Sequence, residues 1–105
     1  MISFTVSEKG FRQQVIELAR LNGWLCYSTF SFRSNTKNPG FPDLVMVRNR
    51  EVIFAELKAE NRKVTRAQQE WLDTLKATGV VKVYLWKPSD WESIVVLLNG
   101  KEEEK

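Results

Sequence analysis

Residues 43–58 read DLVMVRNREVIFAELK. Two apolar runs flank the pair Asn49-Arg50, which is short enough to turn a hairpin, so the stretch predicts strands over 43–48 and 51–58. In the second run Ile53, Ala55 and Leu57 fill one side, and Val52 and Phe54 begin the other. A strand that is apolar on both sides belongs in a sheet covered on both faces. This one nevertheless ends in a carboxylate and an ammonium. Glu56 and Lys58 lie two residues apart and share the side begun by Val52 and Phe54. Folding the hairpin back brings Asp43 beside Glu56 or Lys58, so two carboxylates and a lysine gather at one end of the sheet.

Working outward, a helix is predicted from about Ser7 to Asn22, with Ser7 as N-cap, Gly23 as the stop and Phe11, Val15, Leu18 and Leu21 as its buried stripe. WLCYSTF (24–30) reads as a strand, and SFRSNTKNPGFP (31–42) as a polar, basic loop. After the hairpin, a polar link leads into a helix from about Thr65 to Thr78, closed by Gly79. VVKVYLWK (80–87) is a fourth strand, and Ser89 with Glu92 forms a capping box for a last helix ending near Asn99 and Gly100. The order is α-β-β-β-α-β-α. The fourth strand joins the sheet through a helical crossover, which makes its neighbour parallel and the sheet mixed. The expected fold is an α/β sandwich, a small mixed β-sheet flanked by helices, in a single domain over 1–105 with a frayed acidic tail at 101–105.

Composition narrows the chemistry. The 105 residues are 43% apolar and 11% aromatic, as in a folded globule. No apolar run approaches the ~20 residues of a membrane span, and the first residues do not resemble a signal peptide. The expected location is therefore cytoplasmic, with no membrane partner. The one cysteine, Cys26, excludes an internal disulfide and reads as a buried, inert thiol. The absence of histidine excludes Ser-His and Cys-His catalysis and histidine-based zinc sites. Net charge is +3. Between Arg33 and Arg66, Arg33, Lys37, Arg48, Arg50, Lys58, Arg62, Lys63 and Arg66 face only Asp43, Glu51, Glu56 and Glu60. Such an excess suits a polyanion, though solvated surface has the same appearance.

Two adjacent carboxylates repel, and one tends to hold its proton. A divalent cation removes the conflict: magnesium commonly takes one or two carboxylates and leaves its other positions to water and substrate phosphate. A structural salt bridge among Asp43, Glu56 and Lys58 accounts for the same spacing equally well.

Pro42-Asp43, then twelve residues, then Glu56-Leu57-Lys58 resembles the signature of the PD-(D/E)xK nuclease superfamily. GFPDLVMVR, FAELKAE, TRAQQEWL and VYLWKPSD together look like the VRR-NUC family, the virus-type replication-repair nucleases, from about Ser7 to Leu98. The resemblance implies a restriction-endonuclease-like core and phosphodiester hydrolysis dependent on magnesium or manganese. It implies Asp43, Glu56 and the Leu57 carbonyl as metal ligands and Lys58 as the group that positions the attacking water. Glu8 matches an acidic residue of the first helix in this family, although a first-turn glutamate also complements the helix dipole. Gln68 matches a glutamine near the family's site, although Thr65-x-x-Gln68 is itself a capping box. Relatives often carry a histidine near Ser28, which this chain lacks. Stand-alone members suggest homodimers acting on branched DNA such as four-way (Holliday) junctions in phage or mobile-element replication and repair. Arg33, Lys37, Arg62, Lys63 and Arg66 are the expected DNA contacts. The alternative function is a non-catalytic DNA-binding or assembly module on the same fold.

Overall fold

The computed structural model describes residues 7–29 and 39–100. Arg33, Lys37 and the acidic tail lie outside the described residues. Helix α1 spans Glu8–Leu21, and the Ser7 hydroxyl accepts the Gly10 N–H at 3.0 Å, so the expected N-cap forms. Strands β1 (Leu25–Ser28), β2 (Leu44–Arg48) and β3 (Glu51–Leu57) follow. Next come helix α2 (Arg66–Ala77), strand β4 (Lys82–Trp86) and helix α3 (Trp91–Asn99). No helix among the described residues is long and apolar enough to cross a membrane.

The sheet runs β1-β2-β3-β4, antiparallel at the first two pairings and parallel between β3 and β4. This is the mixed sheet that the crossover through α2 requires. The hairpin register pairs Arg48 with Glu51 and Leu44 with Ala55. Asn49 takes φ 56°, a left-handed conformation that asparagine tolerates in a tight turn.

The two apolar sides of β3 pack into different layers. Ile53, Ala55 and Leu57, with Leu44 and Met46 of β2, join Phe11, Val15 and Ala19 of α1 and Ile94 and Leu98 of α3 in the main core. Phe54, on the other side, meets Phe41 edge-on at 6.0 Å, and Phe41 meets Trp71 of α2 at 4.8 Å. Burying an aliphatic or aromatic side chain of this size contributes about 1.5–3 kcal/mol. A one-residue slip of β3 would reverse both layers, so packing fixes the register more firmly than the turn.

The loop into β2 depends on Gly40. Its φ is +89°, and a Cβ there would lie 2.5 Å from the Ala67 carbonyl carbon and 2.6 Å from its oxygen. Only glycine lets this loop press on the first turn of α2, seating Phe41 and Pro42 just ahead of Asp43.

Three expectations need correction. Leu21 is 83% exposed, because the buried stripe of α1 runs through Phe11, Arg12, Val15, Ile16 and Ala19. At about 100° per residue, Leu21 faces about 150° from the centre of that stripe. The Ser89–Glu92 capping box does not form. Pro88–Asp90 make a 3₁₀ turn, Asp90 Oδ2 accepts the Lys87 N–H at 2.9 Å, and the Ser89 N–H goes to Glu60 Oε1 at 2.9 Å. Cys26 is half-buried on a strand rather than enclosed, and its burial raises its pKa despite nearby Arg20.

Arg48 ties together the end of the sheet away from the hairpin's paired charges. One guanidinium nitrogen donates to the Asn22 and Leu98 carbonyls, both at 2.9 Å, and another to the Gly100 carbonyl at 2.7 Å. The group lies 4.4 Å from the centre of the Trp24 ring. It thus satisfies orphan carbonyls at the C-terminal ends of α1 and α3, where the helix dipoles favour a cation. Arg48→Ala is expected to cost on the order of 2–4 kcal/mol in urea unfolding, because it removes the part-buried bonds to Asn22 and Leu98 and the packing over Trp24. Trp24 Nε1 still donates to the Leu98 carbonyl at 3.0 Å. Arg48→Lys should recover only part of the loss, since an ammonium lacks the planar fork. An Arg48→Ala midpoint equal to wild type would remove this tie from the account of stability.

Candidate active site

The charged end of the hairpin is built from the main chain outward. Thr29, just past β1, donates its N–H to the Asp43 carbonyl at 2.9 Å and its hydroxyl proton to the Pro42 carbonyl at 2.8 Å. That clamp orients Asp43, whose Oδ2 accepts the Leu57 N–H at 3.0 Å. The Asp43 N–H is near enough to the Glu56 carboxylate to oppose a small part of its pKa rise. Asp43 and Glu56 therefore stand side by side at the open end of the hairpin, the Asp43 carboxylate reaching across to β3.

Lys58 is fixed at the point where the chain leaves β3. Its N–H donates to the Trp86 carbonyl at 3.0 Å, extending the parallel pairing with β4 by one residue. The next N–H, of Ala59, reaches Glu8 Oε1 at 3.4 Å, a long contact from the first turn of α1. Glu60 then anchors to the Ser89 N–H. Glu8 thus comes to the site across the chain, besides lying where a helix dipole favours an acid.

Glu56 is 2% exposed and Lys58 6% exposed. Burial, then the Asp43 charge, push the Glu56 carboxyl up from 4.5 to about 8, although Lys58 opposes them. Burial also raises Asp43, offset by the Leu57 N–H and countered further by Arg12 and Lys58, while Glu8 adds to the rise. Among the described residues no close ion pair joins Lys58 to either carboxylate, so the salt bridge that spacing left open is not formed. Glu56 Oε1 is buried without a hydrogen-bond partner. An acceptor that is buried, unpartnered and beside a second carboxylate fits a cation. Among the described residues no three histidine, cysteine, aspartate or glutamate side chains are gathered to hold one by themselves. The donor set that fits is two carboxylates with a main-chain carbonyl, and the rest supplied by water or substrate, as magnesium and manganese accept.

Gln68 sits at the third position of α2, where its Oε1 accepts the Thr65 N–H at 2.8 Å and its own N–H goes to the Thr65 hydroxyl at 3.1 Å. The capping box is formed, and it engages the carbonyl end of the side chain. Arg62, Lys63 and Arg66 are exposed between Lys58 and the first turn of α2. Sequence reasoning does not single out Arg12. It is 8% exposed, one helical turn beyond Glu8, and its charge acts on Asp43. The i,i+4 spacing from Glu8 is its available signal. Thr29 offers none.

Comparisons with known proteins agree with this architecture. The VRR-NUC domain model matches residues 12–85. One solved structure described as a VRR_NUC domain has a TM-score of 0.64 at 20% identity, covering 86% of this chain and 96% of its own. A second, described as a VRR_NUC domain protein, has a TM-score of 0.62 at 18% identity, covering 90% of this chain and 91% of its own. No curated protein matches in sequence.

The raised carboxyl predicts a pH effect on stability. Between 4.5 and about 8 the folded chain keeps a proton on Glu56 that the unfolded chain releases. In chelator, this group's contribution is complete below 4.5 and is lost as pH rises toward 8. Glu56→Gln should remove that loss. Urea unfolding in chelator should find the variant more stable than wild type at pH 8.5, by on the order of a few kcal/mol, with the gap closing towards pH 4.5. A gap that does not change with pH would mean that Glu56 is charged in the metal-free fold.

Proposed function

The chain belongs to the VRR-NUC domain family, and from that premise we propose that it is a metal-dependent DNA endonuclease acting on branched or otherwise structured DNA. The observation that carries the proposal is the pair Asp43 and Glu56, with the buried, unpartnered Oε1 of Glu56. Asp43, Glu56 and the Leu57 carbonyl would hold magnesium or manganese. Once bound, the ion would neutralise the scissile phosphate and acidify the attacking water.

The protein's own groups do the rest. Lys58, held by its N–H on β4, orients the water and offsets negative charge growing on the phosphate oxygens. Its burial strengthens that interaction relative to an exposed lysine. Glu8 holds the Ala59 N–H and so steadies the turn immediately after Lys58. Gln68 directs its amide nitrogen to the substrate while its oxygen caps α2. Arg62, Lys63 and Arg66 take phosphates flanking the cut, with Arg33 and Lys37 on the loop ahead of Asp43. A second copy would supply a second cut on the opposing strand. The setting is the cytosol of a bacterial or phage-infected cell.

Cleavage assays on duplex, flap, single-stranded and four-way DNA, each with magnesium and with manganese, test this reading. Asp43→Asn and Glu56→Gln should abolish cleavage while leaving the fold intact, as chelator should for wild type. Lys58→Ala should keep metal binding and lose about 10²- to 10⁴-fold in rate, the range of a positioned acid–base group. Full activity in either carboxylate variant would favour a binding or assembly module. Neutralising Arg62, Lys63 and Arg66 together should weaken DNA binding and lower the slope of log K against log salt by about 0.9 for each phosphate no longer neutralised. An unchanged slope would move the DNA path elsewhere.

A further inference from the structure

The face of the sheet that bears Phe54, and two residues on Glu56, is covered unevenly. Helix α2 packs against β4, and its Trp71, through Phe41, covers Phe54 of β3. On β1 the same face is open. The register sets Tyr27 opposite Val45 and Leu25 opposite Val47, and sets Val45 opposite Phe54. Tyr27 and Leu25 therefore share the face of Phe54 and Glu56. Tyr27 is 64% exposed and Leu25 75% exposed, and Val47 between the strands is partly exposed.

From this placement, and resting on the nuclease reading above, we infer that Tyr27 is a stacking platform for an unpaired nucleobase beside the scissile phosphate. Asp43 is two residues from Val45, and Tyr27 is one strand across from Val45. The strand spacings put the Tyr27 and Asp43 Cα atoms roughly 8 Å apart. A nucleotide whose phosphate lies at Asp43 and Glu56 can thus lay its base on the Tyr27 ring, with Leu25 extending the apolar floor. Base–aromatic stacking depends on a free base face, which an unpaired nucleotide offers and a base within a duplex does not. The substrate class is therefore DNA with unpaired nucleotides at the cut, such as a flap, a gap or an opened branch point.

A protein partner adding a strand at β1 fits this face less well. Arg20 donates to the Cys26 carbonyl at 3.2 Å, occupying a main-chain acceptor of β1 that such a strand would need. The patch is also continuous with the carboxylate pair rather than separate from it.

The test uses oligonucleotides carrying 2-aminopurine at an unpaired position beside the cut, and the same strand fully paired. Wild type, Tyr27→Phe, Tyr27→Leu and Tyr27→Ala are compared, with Val96→Ala on α3 as an exposed apolar control. Binding in chelator should quench 2-aminopurine with wild type, Val96→Ala and Tyr27→Phe, and not with Tyr27→Leu or Tyr27→Ala. In magnesium or manganese, the preference for the unpaired over the paired substrate should fall about 5- to 160-fold in Tyr27→Ala, the range for one stacked base, and persist in Tyr27→Phe. Tyr27→Leu keeps apolar bulk on the strand, so it separates loss of the ring from loss of the fold. Equal rates on both substrates in all variants, or losses equal for paired and unpaired DNA, would overturn the inference. So would a shift from dimer to monomer in sedimentation of Tyr27→Ala, which would assign the patch to a second copy. If wild type cuts no DNA, the nuclease reading fails, and the quenching comparison alone decides whether Tyr27 stacks a base.

Discussion

The Leu57 N–H that binds Asp43 Oδ2 is the interaction on which the site depends. It closes the β2–β3 hairpin at the end opposite its turn, where regular pairing has stopped at Leu44 and Ala55. Thr29 holds the Asp43 main chain, but without the Leu57 N–H the Asp43 carboxylate would lose its tie to β3. The same bond connects the layers. Leu57 faces the core made by α1 and α3, and Glu56 beside it lies on the side of Phe54. A slip that spared the hydrogen bonds but moved β3 by one residue would bury Lys58 in the apolar layer. Packing and the meeting of Asp43, Glu56 and Lys58 therefore require the same register.

The two ends of the sheet are treated oppositely. At one end Arg48 gives its terminal N–H groups to three main-chain carbonyls and lies over Trp24, with its Nε alone buried without a partner. At the other, a buried carboxylate lies beside a half-buried one, and one oxygen of the buried group has no partner. The first arrangement stabilises the fold. The second sets a desolvated carboxyl beside another carboxylate, and burial first, then the Asp43 charge, raise the Glu56 carboxyl to about 8. Natural proteins place such local conflict at functional sites, where binding relieves it. A fold this small tolerates it because the core of β2, β3, α1 and α3 is continuous behind the site.

Several tethers converge on the residues after β3. Lys58 pairs with β4, Ala59 with α1 and Glu60 with the turn that leads into α3. Each comes from a different element, so the lysine is fixed by the whole fold rather than by its own strand. Gly40 does the same for the other carboxylate by letting the loop ahead of Asp43 rest on the backbone of α2.

Alternation and turn chemistry make much of this legible. The hairpin, the parallel crossover, the caps at Ser7 and Thr65, and the meeting of Asp43 with Glu56 all follow from short-range spacing, which the chain carries in its order of residues. The true stripe of α1 escapes helical periodicity, which admits a buried Arg12 only when a charge partner across the chain is known. Ser89 departs from its expected cap for a similar reason: its N–H is taken by Glu60, which lies 29 residues earlier. Residue type alone does not show that Thr29 clamps Asp43, that Glu56 Oε1 lacks a partner, or that Tyr27 stands open beside the site. Periodicity and local hydrogen bonding act between near neighbours and are written in the sequence. Burial, the electrostatic field and exposure are sums over groups distant in the chain, and only the packed sheet and helices set them.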